Sequence, residues 1–318
     1  MKNKFIKDLD ENEMADFKRS SLHTIINNNW IPTHSHINYY YNYYKAQYVD
    51  YSVVVFQKSN FFLAMLSYSK ENTLSFFEEP VNIYSLDDES ANLNLAYNLL
   101  YKKILSFKQD FNFSSISVSD NSKILSHYFD NICSVSSNYE MYVDLSQKEE
   151  IIKMNVRKSF KSLINWGDKN LKNEVINSDN LIKSKFDNFK NFHQKVSGKK
   201  TRSDESWELQ FEAIKSNESF LNLGYLDDEL VAGVLIVHGF ETAYYGVAVN
   251  DRELMSQNLP LGHAVLYNSI LHAKQIGLSK FILGNLNYND CEKTNAIMKF
   301  KKGFTNTINS YSKYLIEL

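Results

Sequence analysis

Apolar and polar positions change period several times along this 318-residue chain. The first 35 or so residues are polar with helical spacing, and His34 and His36 read as a following loop. Residues 51–57 (YSVVVFQ) and 61–68 (FFLAMLSY) are short β-rich runs, and the break at Lys58–Asn60 predicts a hairpin. In 89–107, Leu93, Tyr97, Leu100 and Ile104 fall on one helical face. A strand at 113–118, a short helix at 122–130 and strands at 132–135 and 139–145 follow. Ser146-Gln147-Lys148-Glu149 reads as a capping box, serine with glutamate three residues on. It places a domain boundary, dividing the chain into 1–145 and 146–318. The helix it opens carries Ile152, Val156, Phe160 and Leu163 on an apolar face and Lys153, Arg157 and Lys161 on a basic one. Two more helices fit 180–196 and 204–216.

After Glu218 the period shortens to that of strands. FLNLGYL (220–226), LVAGVLIVHG (230–239) and ETAYYGVAV (241–249) are separated by short turns, the first of them Asp227-Asp228-Glu229, which predicts an antiparallel meander. A loop then leads to Pro260, which suits a helix's first turn because its missing N–H costs nothing there. That helix runs to about Gln275 and stops at Gly277. A strand at 280–285, a helix at 291–301 and a strand at 307–317 complete the order β-β-β-α-β-α-β.

Composition narrows the classes. Thirty-five Lys and Arg against 37 Asp and Glu give a net charge of −2, without the basic excess of a general DNA binder. Cys133 and Cys291 are too few for a disulfide framework and lack metal-ligand spacing. The N-terminus has no apolar signal core, and no apolar run approaches the ~20 residues of a spanning helix, so a soluble cytoplasmic protein is expected. No nucleophilic triad, zinc motif, P-loop or dinucleotide fingerprint is present.

The element order after Phe220 resembles the GNAT acyltransferase core. Several stretches resemble its Fem-like branch, with tandem GNAT-like domains, which includes peptidoglycan aminoacyltransferases and acetyltransferases of bacterial surface glycans. They are Arg157 to Trp166 (RKSFKSLINW), His193 to Gln210, Tyr244-Tyr245-Gly246 through Leu254, and Phe300-Lys301-Lys302-Gly303-Phe304. The last is similar to the family's FKxGFG close, with Thr305 at the final glycine. The resemblance covers about 150–305; residues 1–145 match in layout only. It implies an α/β (α+β) fold of tandem domains, each a mixed, mostly antiparallel sheet flanked by helices. It also implies that the donor's pantetheine lies where the strand ahead of the donor helix splays from its neighbour, with the pyrophosphate on N–H groups at the helix start. Against the usual Q/R-x-x-G-x-G/A loop, Gln257 and Gly262 match in position, and Pro260, which donates no N–H, stands at the first glycine. Val247, Val249, Leu261 and His263 complete the expected donor site.

The resemblance gives Lys301 a substrate-phosphate role; without it, Lys301 is one of three solvated lysines with Lys299 and Lys302. Arg157, Lys158 and Lys161 suit phosphate contact, or form the wet face of a helix. His193 suits proton removal from an attacking amine, or a structural histidine, with Arg202 nearby as a substrate contact. Glu253 is a second candidate base, although Asp251, Arg252 and Glu253 equally suit an ion pair and helix cap. His263, in the first turn of the donor helix, is disfavoured in its charged form, which leaves an acceptor or a packing ring. Tyr288 suits protonation of a leaving thiolate, with Asn285, Asn287 and Asp290 beside it, or an ordinary loop. Trp166, Trp207 and Tyr39–Tyr44 suit ring stacking or core packing, and Gln210 and Tyr245 complete the expected acceptor site.

Three functions follow as expectations. The first is N-acetyl transfer from acetyl-CoA, without a metal, to an amine on a sugar or nucleotide sugar. The second keeps the fold and takes aminoacyl-tRNA as donor, favoured by Pro260 and disfavoured by the near-neutral charge. The third is a non-catalytic glycan- or partner-binding protein.

Overall fold

A two-residue turn shows how closely local chemistry dictates this fold. Asp227 and Asp228 both adopt left-handed backbone, φ 49° and 65°, and join strands whose ends Leu226 and Glu229 face each other. Two central residues with positive φ match the twist of a hairpin, and Asp tolerates that region better than most residues.

The computed structural model describes residues 131–286 and 291–317, together with 2–19, 34–45, 47–50, 52–56, 61–64, 66–70, 73–80, 82–85, 114–120 and the single residues 98, 102 and 106. It divides into two units, one of Met1–Asn28, Tyr44–Asn138 and Ser310–Leu318, the other of Asn29–Tyr43 and Tyr139–Asn309. In the first, Lys2–Phe5, Val53–Phe56, Phe61–Ala64 and Asn82–Ser85 form an antiparallel sheet in that order. Val53 faces Leu63, the expected pairing, while the break at 58–60 lies outside the described residues. Gln47–Asp50, Leu66–Lys70, Thr73–Pro80, Ser115–Asp120 and residues 312–317 pair in a second sheet. The expected helix at 122–130 and most of that at 89–107 also lie outside the described residues.

The second unit holds, in chain order, all but the last residue of α1 (His34–Tyr44), the part of β1 (Ile132–Asp144) from Tyr139 onward, α2 (Glu149–Asn155), α3 (Lys158–Asn170), β2 (Lys172–Ile176), α4 (Lys183–Ser197) and α5 (Asp204–Lys215). It continues with β3 (Ser219–Leu226), β4 (Glu229–His238), β5 (Thr242–Asn250), α6 (Arg252–Ser256), α7 (Leu261–Gln275), β6 (Lys280–Asn285) and α8 (Glu292–Lys302). Strand order is β2-β3-β4-β5-β6-β1, antiparallel except for β5 and β6. This is the mixed, mostly antiparallel sheet flanked by helices that the sequence predicts. Two apolar clusters hold it. Leu221, Leu223, Leu235, Val247 and Val249 pack against Phe186, Phe189 and Trp207 of α4 and α5. Phe220, Val234, Ile236 and Phe281 pack with Val265, Ile270 and Phe304.

Several local expectations change. His34 and His36 lie in a helix, not a loop, and the N–H of Ser35 in its first turn donates to Glu218 Oε2 at 2.9 Å. The two strands expected at 132–135 and 139–145 are one, β1. The capping box does not form: Ser146 Oγ donates to Asp144 Oδ1 at 2.6 Å, and Lys148 precedes α2 without a side-chain cap. The single helix expected from Ser146 is two, because Val156 and Arg157 are extended and the Arg157 N–H donates to Gly303 O at 2.8 Å. Strand β2 had no counterpart in the sequence pattern, since its five residues, KNEVI, are mostly polar.

Candidate active site

Strands β5 and β6 pair for three residues only, Thr242 to Tyr244 against Lys280 to Ile282, and then part. The separation follows a bulge. Leu235 faces Val247 and Ile236 faces Tyr245, so Gly246 is one residue too many for its partner strand. A Cβ on Gly246 would stand 3.0 Å from Leu235 O, which favours glycine at that position. Where the strands part, a cleft of about 590 Å³ opens. Tyr245, Gly246, Ala248, Val249 and Asn250 of β5, the start of α7 and the Lys293, Ile297 and Lys301 face of α8 line it, with His193 and Val196 of α4.

The start of α7 is set by a chain of small devices. Asp251 Oδ1 accepts from the N–H groups of Glu253 and Leu254 at 2.9 and 3.0 Å and so caps α6. Asn258 turns the chain with φ 65°, Pro260 occupies the N-cap, and α7 begins at the fully buried Leu261. A Cβ on Gly262 would lie 2.9 Å from Asn250 Oδ1, so the bare glycine lets the helix start press against the end of β5. Buried Asn222 fixes the helix further along, donating through Nδ2 to Val265 O and Ser269 Oγ at 2.9 and 3.1 Å.

The charged groups on the cleft walls are Arg252, Lys293 and Lys301, and among the described residues no carboxylate joins them. Lys301 Nζ sits 4.9 Å from the Tyr245 ring centroid and 3.0 Å from where a Cβ of Gly284 would be. Burial lowers the Lys301 amine to about 8, and among the described residues it has no ion pair. Burial raises the Tyr245 phenol. Burial first, and the Arg202 charge second, lowers His193 to about 4. His263 is lowered by burial, its ring enclosed by Phe160, Phe300 and Phe304 at 4.5, 5.1 and 6.3 Å. Both imidazoles are therefore neutral at pH 7, and His193 buries an unpartnered Nδ1. The cleft thus combines apolar walls, three cations and two neutral imidazoles.

Of the residues singled out from sequence, the fold brings His193, Tyr245, Val249, Leu261, Gly262, His263 and Lys301 to this cleft. It leaves others elsewhere. Glu253 and Gln257 are exposed and do not line it. Arg157 is exposed beside the Phe160 ring, 5.2 Å from its centroid, and Lys161 Nζ donates to Met154 O at 3.4 Å. Val247 is a core residue, Trp207 is buried against the His193 ring, and Gln210 is buried in α5. Arg202 Nε donates to Tyr39 Oη at 2.9 Å rather than facing the cleft. Asn285 ends β6 opposite Glu140. Tyr288, Asn287 and Asp290 lie outside the described residues. Lys293, Ile297 and Asn250 line the cleft without having been singled out. Lys293 was within reach of helical spacing: eight residues before Lys301, it shares that lysine's face of α8.

No family model matches the chain, and the comparison with curated proteins gives no match. Among solved structures, FemX is similar with a TM-score of 0.60 and 11% identity, over 86% of this chain and 89% of that one. A protein of unknown function from Bacteroides thetaiotaomicron scores 0.57 at 12% identity, over 89% of this chain and 90% of that one. The C-terminal domain of a putative lysylphosphatidylglycerol synthetase from Agrobacterium fabrum scores 0.54 at 12% identity, covering 83% and 84%. At these identities the likeness is one of fold: the chain shares the architecture of FemX and of that synthetase domain.

Proposed function

We propose that this protein is an acyltransferase whose cleft between β5 and α8 binds a phosphate-bearing acyl donor, most consistently acetyl-CoA, and passes the acyl group to an amine on a sugar or nucleotide sugar. The parting of β5 and β6 at a bulge, over a cleft whose charged groups are all cationic among the described residues, carries this reading. A volume of about 590 Å³ is within the usual range for a bound small molecule. The apolar walls suit a pantetheine arm, and the start of α7, pressed against the end of β5 at Gly262, borders the cleft. Arg252, Lys293 and Lys301 suit phosphate oxygens.

In this reading the free amine attacks the thioester carbonyl, the C–N bond forms and the C–S bond breaks. The thiolate leaves and takes up the proton that the amine loses. Backbone N–H groups of β5, where pairing with β6 has ceased, face the carbonyl oxygen. Neutral His193 orients the amine through a hydrogen bond. An imidazole near 4 is a weak base at pH 7, so positioning is its larger contribution. Glu253, exposed outside the cleft, leaves the acid–base scheme.

The test is calorimetry with CoA and acetyl-CoA, followed by a thiol-release screen over amino-sugar nucleotides. Heat of binding and acceptor-dependent thiol release are expected; neither appearing would sink the proposal. One observation favours a second donor, an aminoacyl ester of tRNA: Pro260 removes an N–H from the loop where a pyrophosphate would sit. Salt-sensitive tRNA binding without CoA binding would select it.

A further inference from the structure

Arg202 is held among aromatic rings behind the cleft. Its Nε donates to Tyr39 Oη at 2.9 Å, and its guanidinium carbon lies 5.7 Å from the Tyr43 ring centroid and 5.4 Å from that of Trp207. Trp207, only 1% exposed, meets the His193 ring at 5.3 Å in an edge arrangement. His193 lines the cleft, while its Nδ1 is buried without a partner. The charge of Arg202 thus stands one indole away from an imidazole on the cleft wall, and it is tied from behind to α1.

We propose that Arg202 is a positioning residue that acts on the cleft without touching its ligand: held by Tyr39, Tyr43 and Trp207, it keeps His193 an uncharged hydrogen-bonding group and links α1 to the cleft. The inference deepens the reading of this cleft as the ligand site and rests on it. Its physical content is simple. A guanidinium is charged throughout the accessible pH range, and stacked on aromatic faces it has little freedom to leave. A fixed positive charge near an imidazole opposes a second one, adding to the opposition that burial already supplies. Arg202 is the charged group acting on His193; burial raises the Tyr39 phenol, which is uncharged at neutral pH, and Trp207 of α5 carries no charge. A neutral His193 can accept a hydrogen bond from the N–H of a free amine, whereas an imidazolium could only donate, to the lone pair that the attack requires. A ligand-contacting arginine would instead present its donors to the cleft, where Arg202 presents none.

The experiment is a pH titration of the histidine Cε1 resonances by NMR on the full chain, which needs no acyl donor. Wild type should hold His193 neutral down to about pH 4. Arg202→Met should raise its midpoint by about half a pH unit or more, and Arg202→Lys should restore most of the depression. His263, on the same cleft but lowered by burial without any influence of Arg202, serves as internal control and should not move. A folded Arg202→Met with an unmoved His193, or with His263 moving equally, would overturn the inference. If Arg202→Met does not fold, Tyr39→Phe, which deletes one hydroxyl, should shift His193 the same way by less, and no shift would overturn it. A shifted His193 in a protein that neither binds CoA nor releases thiol would discard the transferase reading while leaving this coupling intact.

Discussion

Lys301 carries a charge that its surroundings resist. The amine falls from an ordinary 10.5 to about 8 because burial strips water from the ammonium. Between pH 8 and 10.5 the unfolded chain binds a proton there that the folded chain refuses, so stability rises with pH across that window. Below pH 8 the penalty is fully present. Lys301→Met should therefore stabilise the protein at pH 7, by as much as roughly 3 kcal/mol. The same variant should weaken binding of a phosphate-bearing donor by roughly 10- to 100-fold, the worth of one hydrogen bond to a charged group. Urea unfolding and calorimetry on one preparation check both; a Lys301→Met that is less stable than wild type and binds equally would show the lysine to be structural. His193, Lys301 and Gly262 were singled out from sequence because each lies in a stretch of recognisable pattern, and the fold brings all three to the cleft. Arg202 was not legible as what it is. Its partners Tyr39 and Tyr43 lie about 160 residues away, and no spacing rule connects side chains across such a separation.

Helices and strands were legible to the extent that a single face of each is apolar. The meander β3-β4-β5, helix α7 with Gly277 at φ 89° after it, β6 and α8 all fall within a few residues of the pattern's ends. The break between α2 and α3 was not legible. It depends on Gly303 O, which accepts the Arg157 N–H, and on a crossing that the glycine permits. A Cβ on Gly303 would stand 2.0 Å from Phe160 Cε2, far inside contact. Phe160 in turn meets His263, Phe300 and Phe304, so the back wall of the cleft hangs on this contact. A second close crossing lies at Gly167, where a Cβ would be 2.4 Å from Ala264 Cβ. Gly167→Ala should push α7 away from α3, costing about 1–3 kcal/mol as overpacked cores do. Because Ala264 sits in the first turn of α7, donor affinity should fall with it. Thermal unfolding and calorimetry test this, and unchanged values in both would mean the crossing has slack.

Acid response belongs to the whole molecule, and the histidines locate it. His36, His193, His238, His263 and His272 all have their imidazoles lowered, chiefly by burial, with His36 and His193 at about 4. All five lie in the unit formed by Asn29–Tyr43 and Tyr139–Asn309. An unfolded histidine takes up its proton near 6.5, while these folded ones refuse it until lower pH. Their stabilising contribution is thus complete above 6.5 and is lost as pH falls through the folded values. Depressed carboxylates such as Asp204, held at about 2 by Lys190 and Lys200, begin to matter only below 3.8. Between pH 6.5 and 4 the histidines therefore dominate. Urea midpoints should fall steadily across that interval, with net proton uptake on unfolding. Hydrogen exchange should show protection lost at pH 5 in peptides from 139–309 well before those from 115–120, whose described neighbours include no lowered histidine. Equal loss in both sets, or a midpoint flat from pH 6.5 to 5, would mean that the buried imidazoles find partners in solution that offset their burial.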